Sequence, residues 1–242
     1  MKTGRAPLRS SIAKKLLTGL TGLGLMAFII AHLLGNLTLL VGKDAFNAYA
    51  HTLESQGILL LVAELGLIAL FLAHATSTAT VWLDKRRART VRNTVVRSKG
   101  APSRQSLSSR SMIVTGTILL GFTIAHVIHF RLGPGVADGY AISLHGEQVR
   151  DLHRLVVETF KQLPYVVGYV AVMLLLGVHL RHGFWSAFQS LGALNTSLRP
   201  LAYTAGVVFG AAIALAFLVL PIWIYLAAPA AGGPGLASLG QP

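Results

Sequence analysis

Five stretches of this 242-residue chain carry almost no charge and are each long enough to cross a lipid core, near 16–41, 57–83, 110–132, 163–190 and 202–228. A hydrocarbon core of about 30 Å takes roughly 20 helical residues. Backbone groups in lipid have to pair within the segment or within a closed barrel, so runs of this length predict helices. Only 12% of the residues are charged, where a soluble domain has about 25%, and those charges fall mostly between the apolar runs. The expected fold class is all-α, an integral membrane bundle of five transmembrane helices. It forms one domain over 1–228, and the Pro/Gly/Ala-rich tail at 229–242 is expected to be irregular. Neither an internal repeat nor a soluble second domain is expected.

The chain has no cysteine, which excludes disulfides, thiolate metal sites and haem attached through thiols. A net charge of +13 does not call for nucleic acid, because basic loops on the cytoplasmic side of a membrane protein account for it. The first apolar run lacks a small-residue cleavage site and is expected to be a retained helix.

Lysine and arginine set the orientation. Lys2, Arg5, Arg9, Lys14 and Lys15 precede helix I, and Lys85, Arg86, Arg87, Arg89, Arg92, Arg97, Lys99, Arg104 and Arg110 lie between helices II and III. Arg181 and Arg199 flank the loop after helix IV. That side is expected to be cytoplasmic, with the N-terminus inside, the C-terminus outside, and the chain in the cytoplasmic (inner) membrane. The outer connections KDAFNAYAHTLES and EQVRDLHRLVVETF place Phe46, Tyr49 and Leu53, and Val149, Leu152, Val156 and Phe160, at helical spacing. Both predict short amphipathic helices on the outer face.

Histidines occur inside four of the five runs, where polar groups are expensive and usually functional. His32 lies seventeen residues beyond Lys15 and His126 sixteen beyond Arg110, about 25 Å along each helix at ~1.5 Å per residue. Both belong to the outer half. Helices II and IV run the other way, so His74, seventeen residues past Gly57, and His179, fifteen past Pro164, belong to the inner half. The four therefore sort into an outer pair and an inner pair, each from two different helices. Two facing imidazoles are what a b-type haem requires, and two such pairs make a two-step electron path. Ala31 and Gly35, Ala73 and Ala75, Ala125, and Gly177 and Gly183 flank the histidines and are expected to give the ring clearance. His129 and His182, near the two rims, are expected to be solvated, as are His51, His145 and His153 on the outer segments. Glu64 is the one carboxylate well inside a run. It either handles protons beside a quinone headgroup or pairs with water or a neighbouring helix.

The segments HLLGNL, AFNAYA, LFLAH, TGTILLGFTIAHVIHF and GVHLRHGFWSAFQSLG, within residues 15–195, resemble the membrane-anchor cytochrome b subunit of succinate dehydrogenase and fumarate reductase, in its five-helix, single-polypeptide, two-haem form. The sequence departs from that pattern at His153, where an aromatic is more usual, and in the serine-rich SKGAPSRQSLSS. The resemblance implies two haem b groups with His32, His74, His126 and His179 as the axial ligands, and it selects His126 over His129. It also implies flavoprotein and iron–sulfur partner subunits, a membrane quinone (menaquinone favoured), and no bond-making on succinate by this chain itself. A higher-order oligomer of the complex is compatible with it. Alternatives are a diheme anchor of another quinone-linked dehydrogenase, or a haem-free transporter or scaffold whose histidines relay protons.

Overall fold

The computed structural model describes residues 10–88, 107–144 and 146–228. Lys2, Arg5, Arg9, most of the basic stretch between the second and third long helices, His145 and the tail at 229–242 lie outside the described residues. The architecture is all-α, with seven α-helices among the described residues: α1 (Ser11–Leu37), α2 (Lys43–Glu54), α3 (Ile58–Arg87), α4 (Leu107–His126), α5 (Leu152–Phe160), α6 (Leu163–Ser190) and α7 (Leu198–Ala227). Of these, α1, α3, α4, α6 and α7 are long and apolar enough to cross a membrane. Helix α1 starts earlier than hydropathy alone predicts because Ser10 caps it, its Oγ accepting from the Ala13 amide at 3.1 Å. Helix α3 runs on to Arg87 because Lys85, Arg86 and Arg87 in its last turn suit the negative end of the helix dipole.

Packing orders four of the long helices into a ring. Helix α1 contacts α3 and α6, α4 contacts α6 and more thinly α3, and α7 lies outside against α6 and α1. The ring order is α1, α3, α4, α6, so the diagonals are α1/α4 and α3/α6. Neighbouring helices in the ring run in opposite directions, and the members of each diagonal therefore run the same way. We call the end where α1 begins the near end and the opposite one the far end. At the near end Lys14 Nζ meets Asp84 Oδ2 at 2.5 Å and ties α1 to α3.

Small residues draw α7 against α6. A Cβ added at Gly210 would fall 2.6 Å from the Gly177 carbonyl oxygen, and one at Gly206 would fall 2.8 Å from that of Arg181. With Ala214, this is a small-xxx-small face that lets two backbones approach. Gly177 therefore serves the α6/α7 contact rather than clearance beside His179.

The far end is capped by α2 and α5 over a core of Leu39, Phe46, Val156, Val157, Phe160, Val166, Leu220, Ile224 and Ala228. The expected single helix over EQVRDLHRLVVETF is corrected. Residues Ala141–Leu144 and Glu147–Arg150 form an antiparallel hairpin with Ile142 opposite Val149, and the helix starts only at Leu152. Gly146, at φ 86°, supplies the reversal. Asp151 then caps the helix, accepting from the Arg154 amide at 3.0 Å. Val149 thus reaches the core from a strand and does not share a helix face with Leu152.

Candidate functional site

Each diagonal of the ring carries one pair of histidines. On α1/α4, toward the far end, the His32 and His126 rings lie 5.7 Å apart, edge-on at 90°. On α3/α6, toward the near end, His74 meets Thr21 of α1 and His179 meets Thr115 of α4. All four side chains are half-buried. Counting along helices that run the same way predicts this grouping, and the structure brings His32 and His126 together. Among the described residues, no three His, Asp or Glu side chains cluster as a ligand set for a bare metal ion. The pair seen ring to ring is His32 and His126.

The helices that bear the far pair repeat each other. TGLGLMAFIIAH at 21–32 and TGTILLGFTIAH at 115–126 agree at seven of twelve positions, and matching residues make matching contacts. Phe28 stacks on His32 at 5.5 Å and 16°, and Phe122 lies against His126 at 5.6 Å and 31°. Thr21 Oγ1 meets His74 Nδ1 at 3.2 Å, and Thr115 Oγ1 meets His179 Nδ1 at 3.1 Å. Beside them, a Cβ on Gly22 or Gly116 would lie 3.3 Å or 3.4 Å from Cε1 of the same imidazole. The expectation of no internal repeat is therefore corrected. His126 follows His32 by 94 residues but His179 follows His74 by 105, so no single offset aligns both helices of each half.

The glycines that admit a histidine ring are thus Gly22 and Gly116, on the helix opposite each ring, and not the sequence neighbours of the histidines. Gly35 is occupied by Tyr49 of α2, whose ring a Cβ there would strike, and Gly183 faces Met26 at 3.1 Å. The far pair is tied differently. His32 Nε2 lies 3.3 Å from Asn36 Nδ2, and His126 Nδ1 lies 3.1 Å from the Tyr169 hydroxyl.

Beyond His126 the chain makes a π-helical turn over Val127–Arg131. The Arg150 guanidinium donates to the Phe130 carbonyl there at 2.9 Å. His129 Nε2 meets Thr159 Oγ1 at 2.9 Å, so His129 ties α4 to α5 rather than facing solvent. His182 is not solvated either: its Nδ1 is buried without a partner, and its ring lies edge-on to Trp185 at 5.5 Å. His51 sits 3.6 Å from Glu147, and the His153 ring lies 6.4 Å from that of Phe46. Burial holds the His153 imidazole below its ordinary pKa.

Of the two readings of Glu64, the structure shows a bond to a neighbouring helix. Arg131 Nε donates to Oε1 at 2.6 Å, with one side chain half exposed and the other one-third exposed. Glu64 also lines an apolar groove of about 300 Å³ between α1 and α3, with Gly24, Phe28, Leu60, Ala63, Gly66, Leu67 and Leu70. No protein-family model, curated protein sequence or solved structure matches this chain.

Proposed function

We propose that this chain is the membrane-anchor cytochrome b subunit of a succinate:quinone oxidoreductase, passing electrons between an iron–sulfur subunit and membrane quinone. The observation that carries the reading is that His32 and His126 meet across one diagonal of the helix ring, while His74 and His179 lie on the two helices of the other at a second depth. The residues present fit two haems. Each pair joins helices that are not neighbours in the ring, and Gly22 and Gly116 leave room at the near imidazoles that a Cβ would take. His32 and His126 would hold one haem b, and His74 and His179 the other.

When bound, such a group would supply reversible one-electron transfer. The chain's own residues do the rest. Buried hydroxyls and aromatic rings fix the imidazoles, and the apolar spans keep water from them. The groove beside Glu64 has the volume of a small-ligand site and suits a quinone headgroup, menaquinone being favoured. Quinone reduction consumes two protons with two electrons, and Glu64, held at the rim by Arg131, is the group placed to carry them. The near end faces the cytoplasm and the iron–sulfur and flavoprotein partners, and succinate chemistry belongs to those partners.

Reduced-minus-oxidised spectra and haem quantification of purified protein test the assignment. Alanine at His32 or His126 should abolish one b haem, and alanine at His74 or His179 the other. Any other grouping contradicts the pairing, and wild-type protein without b-type absorbance would favour a haem-free scaffold.

A further inference from the structure

The hydroxyls beside the near pair sit where their proton can go to their own helix backbone. Thr21 Oγ1 donates back to the Leu17 carbonyl at 2.6 Å, with a longer contact of 3.3 Å to Thr18. Thr115 Oγ1 donates to the Ser111 carbonyl at 3.1 Å, with 3.3 Å to Met112. Threonine inside a helix commonly bonds the carbonyl one turn back in this way, and a hydroxyl has one hydrogen and two lone pairs. Toward histidine, each oxygen can then only accept. A neutral imidazole carries its hydrogen on one nitrogen, so His74 and His179 must both present Nδ1–H to their threonines, and in both rings Nε2 is left as a bare lone pair. Gly22 and Gly116 lie beside the same rings. The far pair is held differently. There, His32 Nε2 is itself the atom that meets Asn36, and the Tyr169 phenol facing His126 can either give or accept.

Resting on the diheme reading, we propose that Thr21 and Thr115 are positioning residues that lock His74 and His179 in the Nδ1–H tautomer and make Nε2 the ligating atom. A hydrogen bond from the outer ring nitrogen raises the basicity of the ligand. Richer donation favours the oxidised iron, so the two threonines hold the midpoint of the near haem below the value it would otherwise have.

The test is redox titration of the full chain with its haems, together with ¹⁵N spectra of histidine-labelled protein prepared without haem. Thr21→Val and Thr115→Val remove the acceptor and keep the shape, and Thr21→Ser and Thr115→Ser keep the acceptor. Each valine variant should move the same one of the two midpoints upward and leave the other in place, and in haem-free protein it should turn one locked imidazole into a tautomer mixture. Each serine variant should match wild type. Unmoved midpoints, movement of both, or serine behaving as valine would overturn the proposal. Should wild-type protein hold no b haem, the diheme reading fails separately. The ¹⁵N spectra then decide alone, and unchanged tautomers in the valine variants refute the lock. Where a valine variant does not accumulate in membranes, alanine at the same position carries the same expectations.

Discussion

Asn47 is fully buried and uses both ends of its amide. Its Nδ2 donates to Asp151 Oδ1 at 2.8 Å, and its Oδ1 accepts from the His153 amide at 2.9 Å. Lys43 Nζ completes the cluster at 3.0 Å from Asp151 Oδ2. Burial pushes the Asp151 carboxyl up, but the bonds from Asn47, Lys43 and the Arg154 amide outweigh it and hold the group below its ordinary value. Replacing Asn47 with leucine would strand the His153 amide and take one donor from a buried carboxylate. Each such loss costs about 1–3 kcal/mol, and a lowered midpoint of thermal unfolding in detergent would show it. The spacing of Phe46, Tyr49 and Leu53 marks this segment as a helix, but nothing local marks Asn47. Its partner lies 104 residues away, and a polar side chain among apolar ones reveals its role only when that partner arrives. The histidines were legible for the opposite reason. Depth along a helix can be counted without knowing any contact.

At the scale of elements, α7 was legible as a span but silent about its neighbour. The Gly206, Gly210 and Ala214 face fits against α6 with backbone, not side chain, at the closest points. Leucine at Gly210 must therefore push helices apart rather than displace a flexible group. Overpacking of this kind costs about 1–3 kcal/mol or more. The unfolding midpoint of Gly210→Leu should fall, and on the proposed diheme assignment the haem given to His74 and His179 should survive in protein that inserts. The hairpin over Ala141–Leu144 and Glu147–Arg150 was missed because its apolar residues also fall at helical spacing when joined to those of α5. Gly146 at positive φ and Asp151 as a cap were the signals that separate the two elements. Gly35 teaches a related lesson. A glycine three residues from a histidine shares roughly its face, but here a neighbouring helix fills the space first.

For the whole molecule, five apolar helices make the bundle plain, whereas the direction in which it crosses rests on the distribution of basic residues. Because the chain has no cysteine, single thiols can be placed without background. Ser55, exposed at the far end, and Thr196, exposed at the near end, are suitable positions. With the near end inside, an impermeant thiol reagent should label Ser55→Cys on intact spheroplasts and Thr196→Cys only after permeabilisation. The reverse pattern would invert the topology.

The ring also decides how the molecule can be divided. Cut between α3 and α4, it yields two hairpins of the same plan, each with a Thr-Gly step on its first helix and the histidine that step meets on its second. Each hairpin can thus orient its own near imidazole before it meets the other. Neither can close a pair, because His32 and His126 lie on different hairpins, as do His74 and His179. Both sites come into being in a single docking event between halves, and whatever weakens that docking removes them together.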